Sequence, residues 1–442
     1  MADLSVNPST TPPQRLSLSE ETPRLRRRRA AEARFRIYGV VAIVIALSFL
    51  GALLVSVVSK GYPAFQQTMI GLEVDLKKGV IDPQGRGTAE AVMSGNIFRW
   101  SGLVNDALLT ELGIDPDDEM VAAKATKLIS DGARIQLRDM VAADPALIGT
   151  TQKIWFLANG VVDSFMKGSI SAETPESRRQ ISDRQIAWVD QLRESGDLKK
   201  SFNWGLFTNG ASSRAETAGV GVAIIGSLYM MGIVLVLALP IGVAASIYLE
   251  EFAPKNRWTD LVEVNINNLA AVPSIVFGIL GLAVFINFAG LPRSASIVGG
   301  LVLTLMTLPT VIIATRASLK AIPPSIREAA LGVGASKMQA VFHHVLPLAA
   351  PGIMTGTIIG LAQALGETAP LLMIGMVAFV ADTPATPMDP STALPVQIYM
   401  WANQAERAFV ERTSAAIIVL LLFLALMNIA AIILRKRFER RW

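Results

Sequence analysis

Few side chains in this 442-residue sequence are placed where they could carry out a reaction. The sequence has no cysteine, which excludes disulfides and thiolate chemistry. The two histidines, His343 and His344, are adjacent, an arrangement that argues against a histidine-based metal site. The sequence also lacks the Walker A, G-x-S-x-G and H-E-x-x-H motifs of common hydrolases. We therefore expect a protein that is not an enzyme and that binds no cofactor itself.

One carboxylate lies within a long apolar run. Glu367 stands in Gly366-Glu367-Thr368-Ala369-Pro370, inside residues 348–380. An ionisable side chain at membrane depth is costly and usually faces a cavity or a partner helix. Gly366 and Pro370 loosen the helix there, which makes backbone groups accessible. The stretch therefore indicates either a substrate pathway or a buried carboxyl group that holds two helices together.

A short polar-faced segment, residues 328–347, separates two apolar runs. Ser325 followed by Glu328 predicts a capping box that starts a helix. Gly334 is expected to help break that helix, and the Ser336 capping pattern starts a second one. The sequence predicts a helix–break–helix unit offered to a soluble partner; the simpler alternative is an amphipathic connector.

The composition predicts a polytopic membrane protein. Hydrophobic residues make up 52% of the chain, and the mean hydropathy is +0.45. Six apolar runs approach or exceed the ~20 residues that one membrane crossing needs. These runs are residues 37–58, 218–249, 261–290, 296–315, 348–380 and 414–434.

Charge placement predicts the topology. Basic residues crowd the N-terminal tail 1–36 and the C-terminal tail 435–442, so six crossings would leave both termini in the cytoplasm. The loop 316–347 is then cytoplasmic as well. The polar segment 59–217 would be an extracytoplasmic, mixed α/β domain between the first two spans. Its alternating residues at 70, 72, 74 and 76 predict a strand, and Met120–Val141 and Glu176–Leu198 predict amphipathic helices.

The polar-faced segment resembles the EAA loop of ATP-binding-cassette importer permeases. The matching positions are Glu328-Ala329-Ala330, Gly334 and Leu346-Pro347, whereas His344 stands where the family usually has Ile or Val. The resemblance implies that these residues couple the chain to a cytoplasmic ATPase subunit.

Three further stretches resemble the A-type membrane subunit of bacterial phosphate-specific ABC importers. They are Gly366–Leu372, Ala238–Glu251 and Leu269–Gly278, and together with the EAA-like loop they extend the resemblance over residues 218–434. The resemblance implies an all-α, six-helix permease of the type I importer kind in the inner membrane. It also implies four kinds of partner: a second homologous permease subunit, a dimer of ATPase subunits that use ATP and magnesium, a periplasmic phosphate-binding protein, and the lipid bilayer.

The same resemblance suggests a substrate pathway. Its expected residues are Gln363, Gly366, Glu367, Thr368 and Arg316. Many relatives have Arg where this chain has Gln363, so we expect the missing charge to come from the partner permease or from Arg316. The insertion at 59–217 is larger than in compact relatives. Two alternatives stay open: a permease for another oxyanion such as molybdate or sulfate, and a membrane sensor that uses residues 60–217.

Overall fold

A computed structural model describes residues 23–438. Most of the N-terminal tail and the last four residues, with Arg440 and Arg441, therefore lie outside the described part. The chain divides into two compact units after Ser56. The first unit contains most of helix α1, Pro23–Gly61, whose described apolar side chains are exposed along nearly the whole helix. Such a surface fits a single helix surrounded by lipid.

The second unit begins with a three-stranded antiparallel sheet in the order β2-β1-β3. The strands are β1 (Gln66–Asp75), β2 (Thr151–Leu157) and β3 (Leu198–Phe202). Ile70 of β1 pairs with Phe156 on one side and with Leu198 on the other. The alternating residues at 70, 72, 74 and 76 are fully buried, which confirms the strand predicted there.

Short helices pack around this sheet and build its hydrophobic core. They are α2 (Lys78–Ile81), α3 (Ala89–Met93), α4 (Ile97–Leu112), α5 (Glu119–Ala125), α6 (Ala133–Ala143), α7 (Gly160–Met166) and α8 (Asp183–Glu194). Helix α9 (Gly205–Thr208) belongs instead to a separate apolar cluster, in which Leu206 packs with residues of the bundle. The prediction of one continuous helix over Met120–Val141 was wrong, because α5 ends at Ala125 and α6 begins only at Ala133. The helix predicted over Glu176–Leu198 is shorter, since it begins only at Asp183 and Leu198 already belongs to β3.

The remaining helices form an apolar bundle. They are α10 (Gly221–Ile247), α11 (Arg257–Ala270), α12 (Ser274–Gly281), α13 (Ser296–Lys320), α14 (Pro324–Gly332), α15 (Lys337–Gln339), α16 (Leu346–Gly366), α17 (Ala369–Met373), α18 (Leu394–Ala402) and α19 (Ala408–Phe438). π-helical turns continue α10 over Tyr248–Phe252 and α12 over Leu282–Phe288, and join α15 to α16 over Ala340–Val345. In the described residues, five helices are long and apolar enough to cross a membrane, or six if a bent pair counts as one crossing.

Small residues let the central helices approach closely. A Cβ on Gly242 of α10 would lie 2.7 Å from Val311 Cγ1 of α13, and Gly356 of α16 faces Ala314 of α13. Such contacts between small side chains are typical of helix packing in membranes. Helix α13 is therefore the centre of the bundle, in contact with α10 on one side and α16 on the other.

A sharply bent pair of helices occupies the third span predicted over residues 261–290. Helices α11 and α12 meet at an angle of 100°, and the break includes Pro273. Proline cannot donate a helical hydrogen bond, and it disfavours helical backbone at the preceding residue. The sequence showed the proline, but the run of apolar residues around it suggested one continuous helix.

The sheet-containing insertion and the polar loop lie at opposite ends of α10. The polar loop is the segment between α13 and α16, residues 321–345. At the first residues of α10, Gly221 N–H donates to the Asn209 carbonyl at 3.0 Å, whereas beyond its last turn Glu251 contacts the loop. The 27 residues of α10 span about 40 Å at 1.5 Å per residue. The insertion also contacts the start of α19, where Glu411 lies 3.5 Å from Lys167 Nζ. One end of the bundle thus carries the insertion and the other carries the loop.

Candidate functional site

The polar loop is a helix–break–helix unit. Helix α14 ends at Gly332, Gly334 adopts a φ of +89°, and α15 then begins behind Ser336. The Ser336 capping box is confirmed: Ser336 N–H donates to Gln339 Oε1 at 2.8 Å, and Gln339 N–H donates to Ser336 Oγ at 3.2 Å. The capping box predicted at Ser325 was wrong, because α14 begins with Pro324 and has no side-chain cap.

Arg327 joins α14 to the π-helical turn that continues α10. Its guanidinium donates to Glu251 Oε1 through Nη2 at 2.6 Å and through Nε at 3.0 Å. The same guanidinium also donates to the carbonyls of Leu319 and Ile322, each at 2.9 Å. Two-pronged pairs of this kind fix direction as well as distance. The residue was not among the sequence-based candidates, although Glu250-Glu251 at the end of an apolar run signalled a need for a cation.

Arg316 lies in a second ion-pair cluster at the same end of the bundle. Its Nη2 is 2.7 Å from Glu263 Oε2 and its Nε is 3.4 Å from Glu250 Oε2, which also lies 3.7 Å from Lys320 Nζ. Two carboxylates therefore neutralise the Arg316 charge. The cluster joins α13 to α11 and to the end of α10.

The loop presents an exposed apolar surface that we call the loop patch. It consists of four side chains with large exposed fractions: Leu331 (49%), Val333 (86%), Met338 (57%) and Phe342 (45%). Val341 and Val345 of the same amphipathic stretch are instead buried against the bundle. An exposed apolar patch rimmed by polar residues is typical of a protein interaction site.

The other EAA-like residues divide between surface and bundle. Glu328, Ala329 and Gly334 are exposed, Ala330 is buried, and Leu346 and Pro347 are half-buried in the first turn of α16. The exposed members adjoin the loop patch in sequence. The loop therefore has one solvent-exposed face and one face that is buried against the bundle.

Gly334 provides a first test of the loop geometry. Replacing it with alanine places a Cβ on left-handed backbone, which costs about 1–2 kcal/mol. We expect G334A to lower the free energy of unfolding by about this amount, because the alanine would have to keep the left-handed backbone between the two loop helices. Gly332 is the matched control, since it lies in helical backbone with no atom within 4 Å of its missing Cβ. Equal thermal stability of G334A and G332A would contradict this role of the break.

Glu367 lies immediately after the last turn of α16. Helix α16 ends at Gly366, short of the expected residue 380, and Pro370 lies in the first turn of α17. The Glu367 side chain is half-buried and forms no hydrogen bond or ion pair with any residue of the described 23–438 stretch. Gln363, one turn earlier, is exposed, and Thr368 is half-buried. The break predicted from Gly366 and Pro370 is thus present.

Tight packing holds this break in place. A Cβ on Gly278 of α12 would lie 2.7 Å from the Cα of Pro370, so α12 and α17 are in backbone contact. Because α12 follows the sharp bend in the chain, two interrupted helices meet beside Glu367. Irregular backbone at membrane depth is tolerated where it is buried in protein or lines a cavity.

The structure does not bring Arg316 together with Glu367. Gly352 faces Ser318 and Gly356 faces Ala314, so Arg316 is level with the residue between them on α16. Glu367 follows about 13 residues later, which corresponds to roughly 20 Å along the helix. In residues 23–438, no group of three or more His, Asp or Glu side chains could hold a metal ion.

The N-terminal and C-terminal parts of the chain match two different protein families. Residues 238–442 match the binding-protein-dependent transport system inner membrane component, and residues 22–176 match a domain of unknown function, DUF3333. Among solved structures, an inward-facing MetNI methionine ABC transporter is 19% identical, with a TM-score of 0.41, and the match covers 50% of this chain and 97% of that one.

Two curated relatives define the similarity further. The probable ABC transporter permease protein YqgI of Bacillus subtilis is 34% identical over 166 residues, 37% of this chain and only 56% of that protein. The phosphate transport system permease protein PstA 1 of Mycobacterium tuberculosis is 30% identical over 260 residues, 58% of this chain and 83% of that protein. The chain belongs to the PstA family of phosphate transport system permease proteins.

Proposed function

We propose that this chain is a membrane permease subunit of an ATP-driven importer of inorganic phosphate. The observation that carries the proposal is the similarity to PstA 1 over 83% of that protein's length. The family consists of transport subunits and not of enzymes, so ATP hydrolysis belongs to a separate ATPase subunit. That subunit, and not this chain, holds ATP and magnesium.

The proposed topology has six crossings, with the bent pair α11–α12 as the third. Both termini are cytoplasmic, because arginines precede the apolar part of α1 and Arg435, Lys436 and Arg437 end α19. The insertion 59–217 is then extracytoplasmic, and the loop 316–347 is cytoplasmic. The separation of insertion and loop by the length of α10 supports this arrangement.

The loop patch is the proposed docking surface for the ATPase subunit. Its apolar side chains offer hydrophobic contact, and Arg327 ties the helix beneath them to α10. Movement of the ATPase would thus be transmitted to the bundle by a charged, two-pronged contact. A second homologous permease subunit would complete the translocation pathway, and a periplasmic phosphate-binding protein would deliver the substrate.

Gln363, Gly366, Glu367 and Thr368 are the proposed substrate-pathway residues. They lie at a helix break beside the Glu367 carboxylate, which forms no hydrogen bond or ion pair within the described part of the chain. Arg316 is better assigned to the coupling end of the bundle, because its charge is neutralised by Glu250 and Glu263. Phosphate that retains a proton can donate a hydrogen bond to Glu367, whereas fully ionised sulfate cannot.

Co-purification with the ATPase tests the proposal. The full chain is co-expressed with its ATPase, and the recovered ATPase is measured for wild type, M338D and M120D. We expect wild type and M120D to retain the ATPase and M338D to lose at least fivefold, because Met338 lies in the loop patch. Met120 is a matched control, since it is 74% exposed in the insertion.

Uptake by vesicles of the same complex decides the substrate. Radiolabelled phosphate should accumulate only with ATP, and excess sulfate or molybdate should not compete. If either anion inhibited phosphate uptake at equal concentration, that oxyanion and not phosphate would be the assigned substrate. Recovery of no ATPase with the wild-type chain, or equal recovery with M338D, would contradict the docking surface.

A further inference from the structure

A cavity of about 610 Å³ lies in the insertion, beside the segment that leads into α19. Its walls come from α4, from residues 123–134, 159–162, 180–185 and 214–216, and Glu406 closes it next to α19. This volume lies within the roughly 300–1,000 Å³ typical of small-molecule sites. The transport function described above makes no use of it.

Two carboxylates converge at one part of this cavity. A Cβ on Gly160 would lie 2.9 Å from Glu216 Oε2 and 3.3 Å from Glu406 Oε1, so both carboxylates flank the same glycine. Glu216 is only 5% exposed and accepts a hydrogen bond from Ser130 Oγ at 2.9 Å. Burial raises the pKa of Glu406, the Glu216 carboxylate raises it further, and Arg214 opposes the change. The two carboxylates repel each other when both are ionised, and a cation between them would relieve that repulsion.

Two arginines lie near these carboxylates. Arg214 pairs with Asp131 at 2.5 Å and also acts electrostatically on Glu406. The buried Arg412 donates to the backbone carbonyl of Glu216 at 3.3 Å and interacts electrostatically with the Glu216 carboxylate, but it forms no ion pair with either glutamate in the described part of the chain. Glu216 Oε2 and the Glu406 carboxylate accept no hydrogen bond within residues 23–438, so both keep unused capacity for hydrogen-bond donors.

Other residues lining the cavity provide unpaired positive charge. Lys127 and Arg134 form no ion pair within residues 23–438, and Arg134 Nε is buried without a hydrogen-bond partner. The Arg134 guanidinium carbon lies 5.8 Å from the centre of the Phe98 ring, which holds the side chain in place. Asn105 and Gln180 also line the cavity, and their side chains make no hydrogen bond in that same described stretch. A buried donor without a partner is costly, so a ligand acceptor would stabilise this wall.

We propose that the cavity binds a small zwitterion that carries a primary ammonium group and an oxyanion group. The ammonium lies between Glu216 and Glu406, and the oxyanion accepts hydrogen bonds from Lys127 and Arg134. A simple anion would be repelled by the paired carboxylates, and a simple cation would leave the buried Nε of Arg134 without an acceptor. Complementary charge at both ends thus selects molecules that carry both groups.

Binding to the purified full-length chain in detergent tests the proposal by calorimetry. The zwitterionic probes are glycine, β-alanine, taurine and phosphoethanolamine, and the single-charge probes are ethylamine, acetate and inorganic phosphate. We expect at least one zwitterion to bind at least tenfold more tightly than every single-charge probe. E406Q and K127Q should each weaken that binding at least tenfold, whereas E194Q, at an exposed position on α8, should not change it.

Each contrary result overturns a stated part of the proposal. Equal binding of ethylamine would make the cavity a cation site, and equal binding of phosphate would make it an anion site. No binding by any probe, or full binding by both E406Q and K127Q, would reject the site altogether. Lys127 is exposed, so K127Q keeps the test valid even if E406Q unfolds. Because the assay requires no transport, its failure is distinct from failure of the proposed importer function.

Discussion

Replacement of Arg327 by methionine is expected to reduce ATP-driven phosphate uptake at least tenfold while the chain still inserts into the membrane. Methionine preserves much of the side-chain volume but removes the guanidinium. Glu251, whose side chain is 7% exposed, would then lose its cation, and the Leu319 and Ile322 carbonyls would lose a donor. Breaking a buried ion pair costs about 3 kcal/mol or more. Here the loss would destabilise the contact between α14 of the loop and the turn that follows α10.

Two further variants separate coupling from general stability. R327K keeps the charge without the two-pronged geometry, so an intermediate uptake is expected. R193M removes an exposed arginine that pairs with Asp190 at 3.2 Å in the insertion, and it should leave uptake unchanged because surface pairs contribute little. Uptake should be measured in vesicles with equal amounts of inserted chain, and ATPase binding in parallel. Normal uptake by R327M would exclude Arg327 as the mechanical link.

Local patterns in the sequence predicted some elements well. Strand β1 was predictable because Ile70, Leu72 and Val74 alternate in the sequence with mostly polar neighbours. The Ser336 capping box was predictable because its two residues, Ser336 and Gln339, are only three positions apart in the sequence. The break at Gly366 was predictable for the same reason, since a glycine and a proline flank Glu367. In each case the residues that determine the structure are near one another in the chain.

Other elements depend on contacts that no local pattern encodes. The helix expected over Met120–Val141 is interrupted where Ser130 turns toward Glu216, a partner 86 residues later in the chain. The cap expected at Ser325 is absent because α14 already begins at Pro324. Arg327 of the same helix pairs with Glu251, 76 residues earlier in the chain, and no local pattern identifies a partner at that distance.

The candidate sites also divide into features that a local motif indicates and features that depend on long-range packing. The resemblance to importer permeases identified Glu328 and Glu367 from short motifs. It could not show that Arg316 is neutralised by Glu263, because that pairing depends on how α11 packs against α13. Nor could it show the cavity at Glu406, whose walls come from six separate parts of the chain. Sequence motifs therefore identified candidate positions in the loop and at the helix break, whereas packing determines the cavity and which charges remain available.

Replacement of Glu367 by glutamine is expected to lower phosphate uptake about tenfold and to make sulfate an effective competitor. The carboxylate has no partner in the described residues, so it is free to accept a hydrogen bond from the hydroxyl of protonated phosphate. Loss of one charge-assisted hydrogen bond costs about 1.5–3 kcal/mol, a factor of roughly 10 to 150. Glutamine keeps the shape, but its amide donates hydrogen bonds that sulfate can accept, and its neutral charge no longer repels the anion.

The aspartate variant separates charge from position. E367D keeps the negative charge and shortens the side chain by one methylene, so it should retain exclusion of sulfate while phosphate uptake falls. If Glu367 only joined two helices, E367Q and E367D would lower protein abundance and thermal stability together, with no change in anion preference. Competition assays at equal protein level therefore distinguish the two roles. Uptake and selectivity that stay unchanged in E367Q would remove this carboxylate from the pathway, because a substrate contact cannot lose its charge without altering anion discrimination.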